Sequence, residues 1–186
     1  DSMGIILDTG NNDVRSEGMS YGMMISVQLD KRDVFDRLWR WAKRYMAYPA
    51  DSDWDGYFCW QCGLDGTQIG TSNASDGEIY FATALYIAAE KWGEPRYARE
   101  ADELLRKAQS KEGPQTGVYN LYDVETKLVT FVPNEEVHWY SDPSYCLPAF
   151  LELWAERADT NNAFWSEAAD RARWLLFASA DTVTGL

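Results

Sequence analysis

The chain has 186 residues, with 30 Asp and Glu against 17 Lys and Arg and a formal net charge of −13 at pH 7. At roughly 150 residues per domain this is one domain or a piece of a larger one, and so acidic a surface repels phosphate backbones and anionic headgroups, which excludes nucleic acid and membrane surfaces as expected partners. With 46% hydrophobic and 25% charged residues and no block of like charge, intrinsic disorder is excluded as well.

Six stretches carry helical signals and none shows a sustained strand alternation, so the expected class is all-α. The first, 17–29, is rich in Met and Ile, and the second, 33–46, sets Val34, Leu38, Trp41 and Tyr45 at helical spacing. The stretch 48–75 is full of Gly, Asp, Asn and Ser and reads as a loop. The third helix, 77–92, is nearly all apolar through Ile79, Phe81, Ala82, Ala84, Leu85, Ile87 and Ala88, with Asp76 expected at its N-cap. The fourth, 95–111, opens on Pro95 and carries Tyr97, Ala101, Leu104, Leu105 and Ala108 as one stripe. A second loop, 113–140, holds two short segments, 118–122 and 128–132, that can pair as a small hairpin. The fifth helix, 144–158, is again apolar, with Pro148 in its first turns or at a kink. The sixth, 163–180, sets Trp165, Ala169, Ala172, Leu175 and Leu176 against Glu167, Asp170, Arg171 and Arg173.

Three times an apolar helix follows a polar loop and precedes an amphipathic one, at a repeat of roughly 60 to 70 residues. An apolar helix buried all round beside one with a wet face describes the inner and outer walls of an α/α toroid of helical hairpins. Three hairpins make about half of a six-hairpin α/α barrel. The chain is therefore expected to be incomplete, with 181–185 reading as a turn into a further helix, poorly stable or oligomeric by itself. Loops this long usually carry function, and each feeds the start of an inner helix.

Two of those starts bear acids. Glu17 enters the first inner helix, flanked by Gly18 and Gly22 where a substrate could approach the backbone, with Tyr21 one turn further on. Asp76 enters the second. Each acid alone suits a helix N-terminus, but two acids at equivalent ends of adjacent inner helices face one cleft, and paired carboxylates flanking a bond are the apparatus of glycoside hydrolysis. The 9 Trp, 11 Tyr and 7 Phe add flat faces suited to a binding groove. Trp54, Trp60 and Trp139 fall in loops at the expected cleft, whereas Trp39, Trp41, Trp154, Trp165 and Trp174 fall on helices and read as core.

The run Ala74-Ser75-Asp76-Gly77-Glu78, followed by Ala82, Ala84, Leu85, Ala88 and Trp92, resembles the signature of glycoside hydrolase family 8. Glu78 stands where that signature usually has Asp, and Phe81 where it has Ile or Met. The runs from Val14 to Met24 and from Asp142 to Phe150 are similar to the family's branch of reducing-end xylose-releasing exo-oligoxylanases. The resemblance implies an α/α barrel of which these residues form a partial catalytic domain, acting by inversion on β-1,4-linked xylo-oligosaccharides with neither cofactor nor metal. Endoglucanase, chitosanase and endoxylanase activities stay open within the family. It implies that Glu17 is the general acid, that Asp76 binds and distorts the sugar at the cleavage point, and that Tyr145 holds the attacking water. Arg15, Tyr21, Trp54, Trp60, Trp139 and Asp142 are the expected substrate-binding residues. The family's general base sits near a motif like Asp-Ala-x-Arg in a later segment. No such motif follows Tyr145 here, and the pattern does not make Asp142 the base. As an acid, Glu17 must keep its proton near neutral pH, which asks for burial or a neighbouring carboxylate, against the pull of Arg15.

Other readings compete. Cys59-Trp60-Gln61-Cys62 is a C-x-x-C pair, but no βαβ pattern surrounds it, and a zinc site would need Cys146 and His138 to converge on it. A noncatalytic glycan-binding fragment of an α/α toroid would use the same aromatic loops and acids. Asn73-Ala74-Ser75 fits an N-glycosylation sequon, which would obstruct the cleft. Three cysteines are too few and too odd in number for a disulfide scaffold and point to the cytoplasm, while a start without Met leaves a missing leader and secretion open.

Overall fold

Apolar runs broken by glycine-rich loops fold as helices joined by long excursions. The computed structural model describes residues 2–185. Among them, α1 (Ser16–Gln28) is followed by α2 (Arg32–Trp41), which runs on into a π-helical turn, Ala42–Met46. Then come α3 (Ser75–Trp92), α4 (Pro95–Ala108), a 3-10 turn at Pro143–Tyr145, α5 (Pro148–Arg157) and α6 (Asn162–Ser179). Pro95 and Pro148 both sit in the first turn, where the missing N–H costs nothing. Pro148 thus starts α5 instead of kinking it.

Packing follows the alternation. Helix α3 lies between α1 and α5, and α2, α4 and α6 pack on the outside of α1, α3 and α5 in turn. The outer helices bury one stripe each: Phe35, Leu38 and Trp39 on α2, and Tyr97, Ala101, Leu104, Leu105 and Ala108 on α4. Helix α3 has neighbours on both flanks and is buried almost all round. Helix α5 has α3 and α6 as its helical neighbours and fully buries only Leu151 and Trp154. Rings tie the layers together. Phe81 on α3 meets Trp39 at 5.4 Å and Phe58 at 5.0 Å between centroids, and Trp154 meets Trp165 at 5.1 Å. Truncating one such buried ring to Ala costs about 3–5 kcal/mol.

Three expectations need correction. Asp76 is not the N-cap of its helix: α3 begins at Ser75 with Ala74 in the cap position, so Asp76 sits inside the first turn. Its side chain is thereby freed from capping. Trp174 is 51% exposed and Leu176 is exposed too, because α6 packs chiefly on α5 and turns these side chains away from that contact. Gly18 and Gly22 do not open the backbone to a ligand. They make room for Ile6 and Leu38, and a Cβ on Gly22 would lie 2.7 Å from Ile6 Cγ1.

The loops carry some order of their own. The segments 118–122 and 128–132 do pair, through Thr130 N–H to Leu121 O at 2.9 Å and Asp123 N–H to Leu128 O at 3.0 Å. A second pairing escaped the sequence: β1 (Val14–Arg15) and β2 (Gln61–Cys62) form an antiparallel ladder just before α1. Two residues per strand leave no alternation to read.

Candidate active site

Small residues let the starts of α1 and α3 touch. Gly77 faces Ser16, and a Cβ at Gly77 would fall 2.8 Å from both Ser16 Cβ and Oγ. The next residue on α1 is Glu17 and the residue before Gly77 is Asp76, so the contact draws the two acids to one place. Asp76 is 5% exposed, and burial first, then the Glu17 charge, pushes its carboxyl up to about 6. Its Oδ1 has no hydrogen-bond partner. Burial first, then the charges of Asp76, Asp142 and Glu17, hold the Tyr145 phenol above its usual range. Tyr21 stands in the same relation to Glu17 one turn along α1. Glu17, Asp76, Tyr145 and Tyr21 therefore converge. Glu17 itself is exposed.

Around this group the remaining expected residues divide. Arg15 is held by Asp8 and Asp13 at 3.1 and 3.2 Å, and lies 5.5 Å from the Trp60 ring centroid. The Trp60 carbonyl accepts the Ser16 N–H at 3.0 Å, which sets that loop against the start of α1. Asp142 accepts the Ser144 N–H at 2.8 Å, capping the 3-10 turn that presents Tyr145. Trp139 is 74% exposed and reaches the group only through other rings: Tyr145 stacks on Phe131 at 5.5 Å, Phe131 meets Tyr140 at 5.5 Å, and Tyr140 meets Trp139 at 6.2 Å. Trp54 packs instead on Tyr48 and Tyr57 at 5.5 and 5.7 Å, as part of the core.

Sequence reasoning missed Tyr80, whose ring lies 4.5 Å from Tyr21 and 5.0 Å from Phe150 on α5. The signal was present. Tyr80 follows Asp76 by four residues just as Tyr21 follows Glu17, an acid and a phenol one turn apart on each inner helix. It also missed Glu78, which is fully buried and pushed up to about 8 by burial. Asn73 is 1% exposed and its amide bonds Glu78 at 2.9 Å, so the sequon is closed to a glycan in the fold.

The cysteine pair is elsewhere engaged. Cys59, Cys62 and Cys146 are buried free thiols. Cys59 contacts the Gln61 and Gly70 carbonyls, and a hydrogen bond from Cys62 lowers its thiol. Cys146 turns to Asp142 O, and His138 stacks on Tyr119 with Nδ1 3.0 Å from Asn134 O. The four do not meet.

Comparison with known proteins places this geometry. Residues 2–186 match the family described as Glycosyl hydrolases family 8. The chain is 43% identical to the reducing end xylose-releasing exo-oligoxylanase of Halalkalibacterium halodurans and 42% identical to that of Bifidobacterium adolescentis, in each case over 100% of its length and 48% and 49% of theirs. It matches the solved structure of the Paenibacillus barcinonensis reducing-end xylose-releasing exo-oligoxylanase complexed with xylose with a TM-score of 0.92 at 42% identity, covering 100% of this chain and 49% of that one. The chain thus spans about half the length of the curated relatives it matches, and its three hairpins are about half of their α/α barrel.

Proposed function

The chain belongs to glycosyl hydrolase family 8, and on that premise we propose that its protein hydrolyses β-1,4-linked xylo-oligosaccharides by inversion, releasing xylose from the reducing end. The observation that carries this is the convergence of Glu17, Asp76 and Tyr145 from three successive inner-helix starts. Glu17 donates its proton to the glycosidic oxygen as the bond breaks. Asp76, with Oδ1 buried and free, takes a hydroxyl of the sugar at the cleavage point and helps hold it distorted. Tyr145, presented by the turn that Asp142 caps and stacked on Phe131, orients the water that attacks from the opposite face. Trp60 and Arg15 line one side of the sugar, and Tyr21 steadies Glu17. Inversion needs acid and base carboxyls about 6.5–9.5 Å apart with water between. Asp142 is engaged with Ser144, so we assign the base to a part of the catalytic domain outside these residues.

The test is xylotetraose carrying 13C at C1 of its reducing-end sugar, followed by NMR with the full protein. Early appearance of the label as free xylose supports the reading. Label spread over xylobiose and xylotriose makes the protein an endo-acting family member, and binding without turnover makes it a noncatalytic glycan binder.

A further inference from the structure

Glu78 is wholly buried and the mechanism above leaves it idle. Its two oxygens reach the two ends of one chain excursion. Oε1 accepts the Phe58 N–H at 2.8 Å, and Oε2 accepts the Asn73 side-chain amide at 2.9 Å. Between Phe58 and Asn73 runs the segment that bears Trp60. There the Trp60 carbonyl accepts the Ser16 N–H, the Trp60 N–H bonds Ser72 O at 3.0 Å, β2 pairs with β1, and the indole lies against Gly70 and under Arg15. One carboxyl on the first turn of α3, two residues past Asp76, therefore ties the Trp60 segment to the helix start that carries Asp76.

We propose that Glu78 is a positioning residue that fixes the Trp60 ring relative to the Glu17 and Asp76 pair, and so governs how firmly the sugar is held rather than how fast its bond is cleaved. This rests on the reading of Trp60 as a sugar-binding ring. A buried carboxyl is costly unless both oxygens are bonded, and here each has a donor from a different end of the loop. Truncation to Ala leaves the Phe58 N–H and the Asn73 amide unpaired in the interior, which is unfavourable, and the loop relaxes to pair them elsewhere. Glutamine fits the same space. Its oxygen can accept from Phe58, and its amide can donate to Asn73 Oδ1, which has no partner, once the Asn73 amide turns over. Charge is not needed for the hold: both contacts are donated to the carboxyl oxygens, and burial disfavours the charged form, pushing the group up to about 8.

The test uses the full protein labelled with 5-fluorotryptophan, the Trp60 19F resonance being assigned by Trp60→Phe, together with steady-state kinetics on xylotriose. Glu78→Ala is expected to displace or broaden the Trp60 resonance and raise KM roughly tenfold with kcat within about threefold, the signature of lost uniform binding. Glu78→Gln is expected to restore both. Should Glu78→Ala not fold, Asn73→Ala removes one of the two bonds and is expected to shift the same resonance part of the way. A Trp60 resonance unmoved in both truncations overturns the proposal, as does a fall in kcat that matches the rise in KM and is not rescued by Gln. A displaced resonance, rescued by Gln, in a protein that does not take xylotriose supports the hold on Trp60 and sinks the functional reading instead.

Discussion

Protonating a glycosidic oxygen matters most when the leaving group is poor, and that dependence separates an acid catalyst from a structural carboxylate. Glu17→Ala is expected to cost on the order of 10²-fold or more in rate on xylotriose and much less on xylobiosyl fluoride, whose leaving group needs little help. Equal losses on both substrates would remove Glu17 from that role. Asp76 makes a second prediction. Its carboxyl is raised to about 6 in the fold by burial and by Glu17, with Tyr145 hydrogen bonding working the other way. The folded state therefore favours the protonated form, and its contribution to stability is fully present at low pH and is lost as pH rises from about 4 through 6. Asp76→Asn should gain on wild type in Tm across that window and hold the gain above it. Calorimetry from pH 4 to 8 checks this, and parallel profiles for the two proteins would contradict it. At this scale the sequence showed which acids to watch, through their place at helix starts, but read Asp76 as a cap. The backbone overrides the favoured cap residue: the helix starts two residues earlier than expected, at Ser75, and leaves Asp76 inside its first turn.

Between elements, two close approaches behave differently. At Gly77 the atoms that a Cβ would meet are Ser16 Cβ and Oγ, 2.8 Å away and fixed at the start of α1, whereas at Gly22 they belong to the Ile6 and Leu38 side chains. Ile6 is partly exposed and can swing. Gly77→Ala should therefore cost about 1–3 kcal/mol through overpacking and lower the rate by parting Glu17 from Asp76. Gly22→Ala should cost less and leave kcat nearly unchanged. Urea melts and steady-state kinetics on the two variants check the order, and a Gly22 loss equal to the Gly77 loss would contradict it. The helices were legible because each hairpin repeats an apolar and an amphipathic period. The β1 and β2 ladder was not, since its order comes from partners some 50 residues apart in sequence, and neither was the turning of Trp54 into the core.

Over the whole chain, apolar side chains gather at the two ends of the row of hairpins. Ile25 on α1 and Leu29 just past its end are exposed, as are Trp174 and Phe177 on α6, the last of them 85% exposed. On α6 this exposure lies on an outer helix that packs on α5 and on the 3-10 turn at Pro143–Tyr145. Patches of this kind favour association, so the 186 residues alone are expected to self-associate, with Phe177→Asp weakening it. Sedimentation velocity over a concentration series checks this, and a concentration-independent monomer would contradict it. The toroid was legible from the repeat, and the cleft from the acids at its helix starts. The central claim is that those starts belong to an inverting glycosidase. Its most direct measurement is 1H NMR of xylotriose hydrolysis by the full protein, recorded before mutarotation. The claim predicts that the newly formed reducing end, on xylobiose, appears first as the α-anomer; initial appearance as the β-anomer would contradict it.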